Sequence, residues 1–273
     1  MSAIDSVEEV GSIPAAAFIE RFVERSRPVV LRGIASGWTA VRHWTFPALR
    51  AGFGNQRMRV RGSDQALDVF FGSADEREMS FADYLDAILA DATVKRRPYL
   101  GNFLLNHPEM DPVVLRLLDD LAFPDFFATL PERQLRIWVA GAGQQSTIHN
   151  DNYENLNAQI IGRKSFRLFA PGEHDKLYAE RVNEGLWSSP IEIGAPQLDR
   201  YPRFAEARAL HCTLAPGDML YIPRFWWHQA TADTASININ AWHYLGAGRD
   251  ETWEARRTAF ATEESISKPG DSR

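Results

Sequence analysis

His149 and Asp151 stand two apart in the stretch IHNDNYENLNAQIIGRK, residues 148–164. On a β-strand that spacing puts both side chains on one face, close enough to share one ion. The ionised carboxylate only accepts, and a neutral imidazole offers one free nitrogen. One further imidazole completes a two-histidine, one-carboxylate facial set, which leaves coordination positions open and is typical of non-haem Fe(II). His228 is the best third member. It follows GDMLYIPRFWW, residues 217–227, which reads as a turn, a short strand, a proline stop and a bulky aromatic wall. The other histidines fit less well. His43 and His107 fall in the helical part beside tryptophan or proline, and His174 lies in the polar turn PGEHD. His211 and His243 have no carboxylate at spacing two.

Each of these residues has a plainer reading when taken alone. A His-x-Asp pair is common in surface turns, and a histidine beside tryptophans is more often packed than functional. Lys164, after Gly162 and Arg163, reads as a turn lysine. Arg57, Arg59 and Arg61 alternate with Met58 and Val60, and read first as the solvated face of a strand.

Taken together, the residues resemble the JmjC and cupin-like Fe(II)/2-oxoglutarate oxygenases. They look most like the branch containing the asparaginyl hydroxylase that inhibits the hypoxia-inducible factor. The match runs through His149-Asn150-Asp151, Asn155, Ala158-Gln159-Ile160, Gly162 and Lys164, then RLFAP and Leu177-Tyr178. PGDMLYIPRFWWH and ININAW follow, and RPVVLRG, the segment from Phe46 to Gly54, and RPYLGN match upstream. The resemblance covers residues 8–245.

The resemblance implies a double-stranded β-helix in which His149, Asp151 and His228 hold Fe(II). It implies 2-oxoglutarate as cosubstrate, O2 as oxidant, and Lys164 as the cation for the far (C5) carboxylate. A buried ammonium and carboxylate offset each other's desolvation cost. Tyr99, in RPYLGN, matches a tyrosine that donates to the same carboxylate. Ser146 matches a hydroxyl residue three ahead of the first histidine, whereas strand alternation favours Thr147 on the face of His149; both stay as candidates. Asn155, Asn240 and Trp242 match positions lining the metal and cosubstrate site. The implied activity is hydroxylation of an unactivated C–H bond in a protein or peptide side chain or a small metabolite. A tRNA-modifying hydroxylase is the alternative, for which VKRRPY (residues 94–99) and the arginine face are the supporting features. A third reading is a cupin-fold binding protein without turnover, against which the intact ligand set argues. The region after Trp242 is shorter than the helical dimerisation region of the animal hydroxylase, so either a monomer or a homodimer is implied.

The elements that must position these residues are legible in outline. The chain has 273 residues, 45% apolar and 24% charged, the composition of a globular domain. Net charge is −6, which gives no general pull toward nucleic acid. Cys212 is the only cysteine, so neither an intramolecular disulfide nor a cysteine-rich zinc site is available. Residues 1–11 lack a basic start and an apolar core, and no apolar run approaches the ~18–20 residues of a membrane helix. A cytoplasmic location without membrane contact is expected.

The first half reads as mainly helical. A helix opens at Ser12-Ile13-Pro14 with Phe18 and Phe22 on one face, and RPVVLRG is a strand turning at Gly33. FPALRAGFG is a short helix closed by glycine, Ser80 and Asp83 cap another, and DPVVLRLLDDLAF (111–123) is a fourth. From about residue 133, LRIWVAG, LNAQII, KSFRLFAP, DMLYIP and SININAW are short strands between turn residues, as in a jelly roll. The expected fold is therefore mainly β with flanking helices, as one domain over 1–273. Its parts are an N-terminal α/β region (1–130), a β-helix core (131–246), and a last helix with a disordered tail (247–273), in which Trp253 and Phe260 share a face.

Overall fold

In the strands after residue 133, side chains alternate between two surroundings, and that alternation builds the protein. The computed structural model describes residues 5–62, 75–90, 100–105, 112–124, 134–183, 186–243 and 255. Apart from residue 255, the last helix expected after residue 246 and the tail lie outside the described residues.

Eight strands form the core and pass between two facing sheets. One sheet takes Gln134–Ala140, Glu154–Ile161, Met219–Ile222 and Ser236–His243. The other takes His149–Asp151, Lys164–Phe169, Leu210–Leu214 and Trp227–Ala232. The chain thus crosses from one sheet to the other at 140–149, back at 151–154, and across again at 161–164, the path of a double-stranded β-helix. Short N-terminal strands, Asp5–Ser6 on one sheet, Glu8–Val10 and Val29–Leu31 on the other, extend both.

The first sheet buries both faces, but differently. Leu135, Ile137, Val139, Leu156, Ala158, Ile160, Ile237 and Ile239 point outward into an apolar core shared with Phe18, Phe22, Tyr84, Leu85 and Ile88. The helices of the first half therefore cover this face, and the Tyr84 hydroxyl donates to the Val139 carbonyl oxygen. Alternate residues, among them Trp138, Asn155, Asn157, Asn238 and Asn240, point between the sheets. Elsewhere between the sheets the interior is apolar, filled by Phe166, Leu168, Leu214, Leu220 and Ile222. Glu180–Asn183 and Leu186–Ser188 extend the second sheet beyond His149–Asp151, and Phe169, Leu177, Ile191, Phe204 and Trp227 pack together on its outer side.

Two local expectations change, and the glycine closure holds: Gly54 ends the helix Phe46–Phe53, in right-handed backbone (φ −56°). Its missing Cβ serves close packing, since an added one meets the Arg50 carbonyl oxygen at 2.3 Å and Ala82 at 3.2 Å. The helix expected over 111–123 is short: Pro112–Leu115 is α-helical and Arg116–Asp120 tightens to a 3-10 turn. Asp120 then accepts from the Trp44 indole at 2.7 Å, which fixes that end. The N-terminal helix runs Ala15–Phe18 and widens to a π-turn at Ile19–Val23. The Ser80 cap forms as expected, its hydroxyl oxygen accepting from the Asp83 amide at 3.0 Å. Arg57 and Arg59 are exposed while Met58 and Val60 are buried, and the arginine strand pairs with Asp75–Ser80 so that Arg59 lies opposite Glu78 and Arg61 opposite Glu76.

Candidate active site

His149 and His228 come together because their strands are antiparallel neighbours with these two residues in direct register. Their ring centroids lie 4.3 Å apart. Asp151, two residues on from His149, points the same way, with Oδ2 3.6 Å from His228 Nε2. One ligand atom from each of the three residues lies within 4.8 Å of the others, and all three residues are buried. They form the single such group of His, Cys, Asp and Glu among the described residues.

The surroundings fix which atoms face inward. His149 Nδ1 lies 2.9 Å from the Thr147 carbonyl oxygen, and His228 Nδ1 lies 3.0 Å from that of Trp226. A carbonyl only accepts, so each Nδ1 carries the proton and each Nε2 keeps its lone pair. Burial, followed by the neighbouring His149, pushes the His228 imidazole down to about 4, with Asp151 opposing. It is therefore neutral at ordinary pH. Asp151 Oδ2 is buried without a hydrogen-bond partner. A donorless carboxylate oxygen converging with two imidazole lone pairs is a site that fits a divalent cation.

Two turns hold this geometry. Between Pro223 and His228 the chain makes a tight reversal in which Phe225 adopts left-handed backbone (φ 65°) and donates its amide to the Asp151 carbonyl oxygen at 2.9 Å. Arg224 donates to Asn152 Oδ1 at 2.7 Å, and the Trp226 indole to the Ser26 carbonyl oxygen at 2.8 Å. The second turn is at Gly162 (φ 72°), where an added Cβ meets the Ala235 carbonyl oxygen at 2.1 Å. That hairpin starts the strand whose first residue is Lys164.

Lys164 points into the same cavity as the triad and is 4% exposed. Its ammonium donates to Asn238 Oδ1. Burial pushes the amine down to about 7. An ammonium has three donors, and one amide oxygen is its partner among the described residues. The cavity encloses about 370 Å³ of empty space, its open mouth included.

The residues named from sequence are placed unequally. Ser146, Asn155, Asn240 and Trp242 line the cavity with the triad and Lys164. Thr147 is not among the lining residues, and its buried hydroxyl oxygen has no partner. Alternation fails there because Ile148 bends the chain and the strand starts only at His149. Thr147 reaches the site through its carbonyl, on His149. Tyr99 lies outside the described residues. Trp138, Asn157, Phe166, Ala230 and Asn238 also line the cavity and were not among the expected site residues. A signal existed for four of them, since each lies two residues from a named one on the same strand. Trp138 enters as the register partner of Asn238, which no spacing in the sequence announces.

Comparison with known proteins bears on this arrangement. The profile of the Cupin-like domain family matches residues 14–247. Over 229 residues the chain is 26% identical to lysine-specific demethylase 8 of Xenopus tropicalis, covering 82% of this chain and 50% of that protein. It is 26% identical over 282 residues to a Homo sapiens protein named a bifunctional peptidase and (3S)-lysyl hydroxylase, covering 92% and 86%. It is 28% identical over 244 residues to tRNA wybutosine-synthesizing protein 5 of Danio rerio, covering 84% and 72%. The chain spans about half the length of the relatives named as demethylases.

Proposed function

The chain belongs to the Cupin-like domain family, and from that premise we propose that it is an Fe(II)- and 2-oxoglutarate-dependent dioxygenase. The reaction is hydroxylation of an unactivated C–H bond in a protein or peptide side chain or a small metabolite. The observation that carries the reading is one cavity with the His149–Asp151–His228 set at one end and a buried lysine at the other.

In this reading His149, Asp151 and His228 are the residues that would hold Fe(II). The chemistry the metal supplies, with 2-oxoglutarate and O2, is oxidative decarboxylation to succinate and carbon dioxide coupled to insertion of one oxygen atom into the C–H bond. Lys164 binds and orients the far carboxylate, which also removes the cost of its own buried charge. Asn155, Asn240 and Trp242 line the cosubstrate, and Ser146 is the hydroxyl residue that faces it. Thr147 orients His149 through its carbonyl. Tyr99 keeps the role that the resemblance gives it. Trp138 and Phe166 wall the cavity against water. No side chain acts as a base on the C–H bond. The site is expected to operate in the cytoplasm, in a monomer or homodimer.

The test is succinate formation from 2-oxoglutarate with Fe(II) and ascorbate, run beside direct measurement of 2-oxoglutarate binding. Succinate above a metal-free control is the expected result. Neither succinate nor binding contradicts the reading and leaves a binding protein without turnover.

The similarity to a tRNA wybutosine-synthesizing protein raises RNA as a second substrate class. The arginine row at 57–61 speaks against it, because acidic residues stand opposite on the paired strand and Arg57 lies 3.8 Å from Glu78. A salt-dependent gel shift of labelled tRNA separates the cases. The basic segment VKRRPY lies outside the described residues.

A further inference from the structure

The wall of the cavity formed by Glu154–Ile161 and Ser236–His243 carries more amides than the roles above employ. The register sets Asn155 opposite Trp242, Asn157 opposite Asn240 and Gln159 opposite Asn238. Lys164 reaches Asn238. Asn157 therefore stands on the middle rung, between the lysine end and the rung of Asn155. It is 4% exposed and lines the cavity. Its Oδ1 is sealed in the wall without a hydrogen-bond partner, which leaves the amide nitrogen as the atom facing the cavity.

The neighbouring polar groups have the same sense. Asn240 Oδ1 accepts from Asn238 at 2.6 Å, so Asn240 also turns its nitrogen to the cavity. Lys164 is a donor only. The Ser146 hydroxyl donates to the Thr147 carbonyl oxygen at 3.1 Å and accepts from the Ala230 amide at 3.0 Å, so it is already committed. Short of the metal ligands, this wall offers donors. A keto dicarboxylate is the complementary ligand, because its carboxylates and ketone only accept. A leucine fills the volume of an asparagine without the cost of burying an amide, so an amide at mid-wall points to a polar ligand atom.

We propose that Asn157 is a further cosubstrate-binding residue, whose side-chain N–H donates to an oxygen at the metal-side end of the bound keto dicarboxylate. The inference rests on the dioxygenase reading and adds a contact that neither the sequence pattern nor the family match assigns.

The test is 2-oxoglutarate binding to the Mn(II)-loaded full chain by titration calorimetry, in the wild type, Asn157→Leu and Asn157→Ala. Loss of a hydrogen bond to a charged ligand is expected to raise the Kd about tenfold in either variant. The Mn(II) Kd without 2-oxoglutarate should stay within about twofold, since Asn157 is not among the ligands. The alanine variant carries the test if leucine does not fold. A 2-oxoglutarate Kd near the wild-type value in a folded variant overturns the assignment of Asn157 and leaves the dioxygenase reading standing. Absence of 2-oxoglutarate binding in the wild type overturns both.

Discussion

His149 and His228, distant in sequence, are direct partners across one antiparallel strand pair, with ring centroids 4.3 Å apart. Each is tethered at Nδ1 to the carbonyl of the residue two before it. The two imidazoles are thus aimed by backbone, and Asp151 enters the same space because it lies one pleat on from His149.

Asp151→Ala is expected to weaken Mn(II) binding by at least about 100-fold, since the tethered imidazoles lose the one anionic ligand. It should abolish succinate formation. The metal-free variant should melt no lower than the wild type, because the lost carboxylate oxygen is buried without a donor. Calorimetric titration with Mn(II) decides; an unchanged affinity contradicts the triad.

Lys164→Met is expected to raise the 2-oxoglutarate Kd by about 100-fold, because it leaves a carboxylate facing a cavity without its cation. Mn(II) binding should be spared. Equal loss of both affinities would show that the lysine supports the fold rather than the ligand.

The Lys164 amine also sets a pH dependence. Its pKa falls from 10.5 to about 7 on folding, because burial disfavours the charged form. The unfolded chain therefore binds more protons between those values, and metal-free stability should rise with pH across that window. Below about 7 the cost of the buried ammonium is fully present, so Lys164→Met should melt above the wild type there, with the gap closing as pH rises. The carboxylate binds the ammonium form, so 2-oxoglutarate affinity should hold up to about pH 7 and fall above it. Binding isotherms at a series of pH values check this, and an affinity that rises through pH 8 contradicts it.

Gly162→Ala should destabilise the protein by about 2 kcal/mol or more, since it forces a side chain into left-handed backbone and against a carbonyl. The turn positions Lys164, so 2-oxoglutarate binding should weaken as well. A thermal melt at the wild-type midpoint would show that the turn relaxes without cost.

Much of this was legible in the sequence, for physical reasons that differ by residue. The triad was readable because spacing two on a strand and an aromatic-walled third histidine are local signals. The jelly roll was readable from its short strands and turn residues. The split of Gln134–Ala140 into an outward apolar face and an inward face holding Trp138 depends on which sheet packs on which layer, which no single strand announces. Thr147 was misplaced because alternation holds only inside a strand, and Ile148 bends the chain just before His149. Asn157 and Asn238 were within reach of the alternation that places Asn155 and Asn240, but their chemistry became visible only when register set them on adjacent rungs beside Lys164.

The central claim is that one cavity holds a metal at one end and a dicarboxylate spanning to Lys164 at the other. A crystal structure with Mn(II) and 2-oxoglutarate tests it most directly. The expected result is one metal bound by His149, Asp151 and His228, with the far carboxylate hydrogen-bonded to Lys164. Metal bound elsewhere, or a carboxylate out of reach of Lys164, contradicts it.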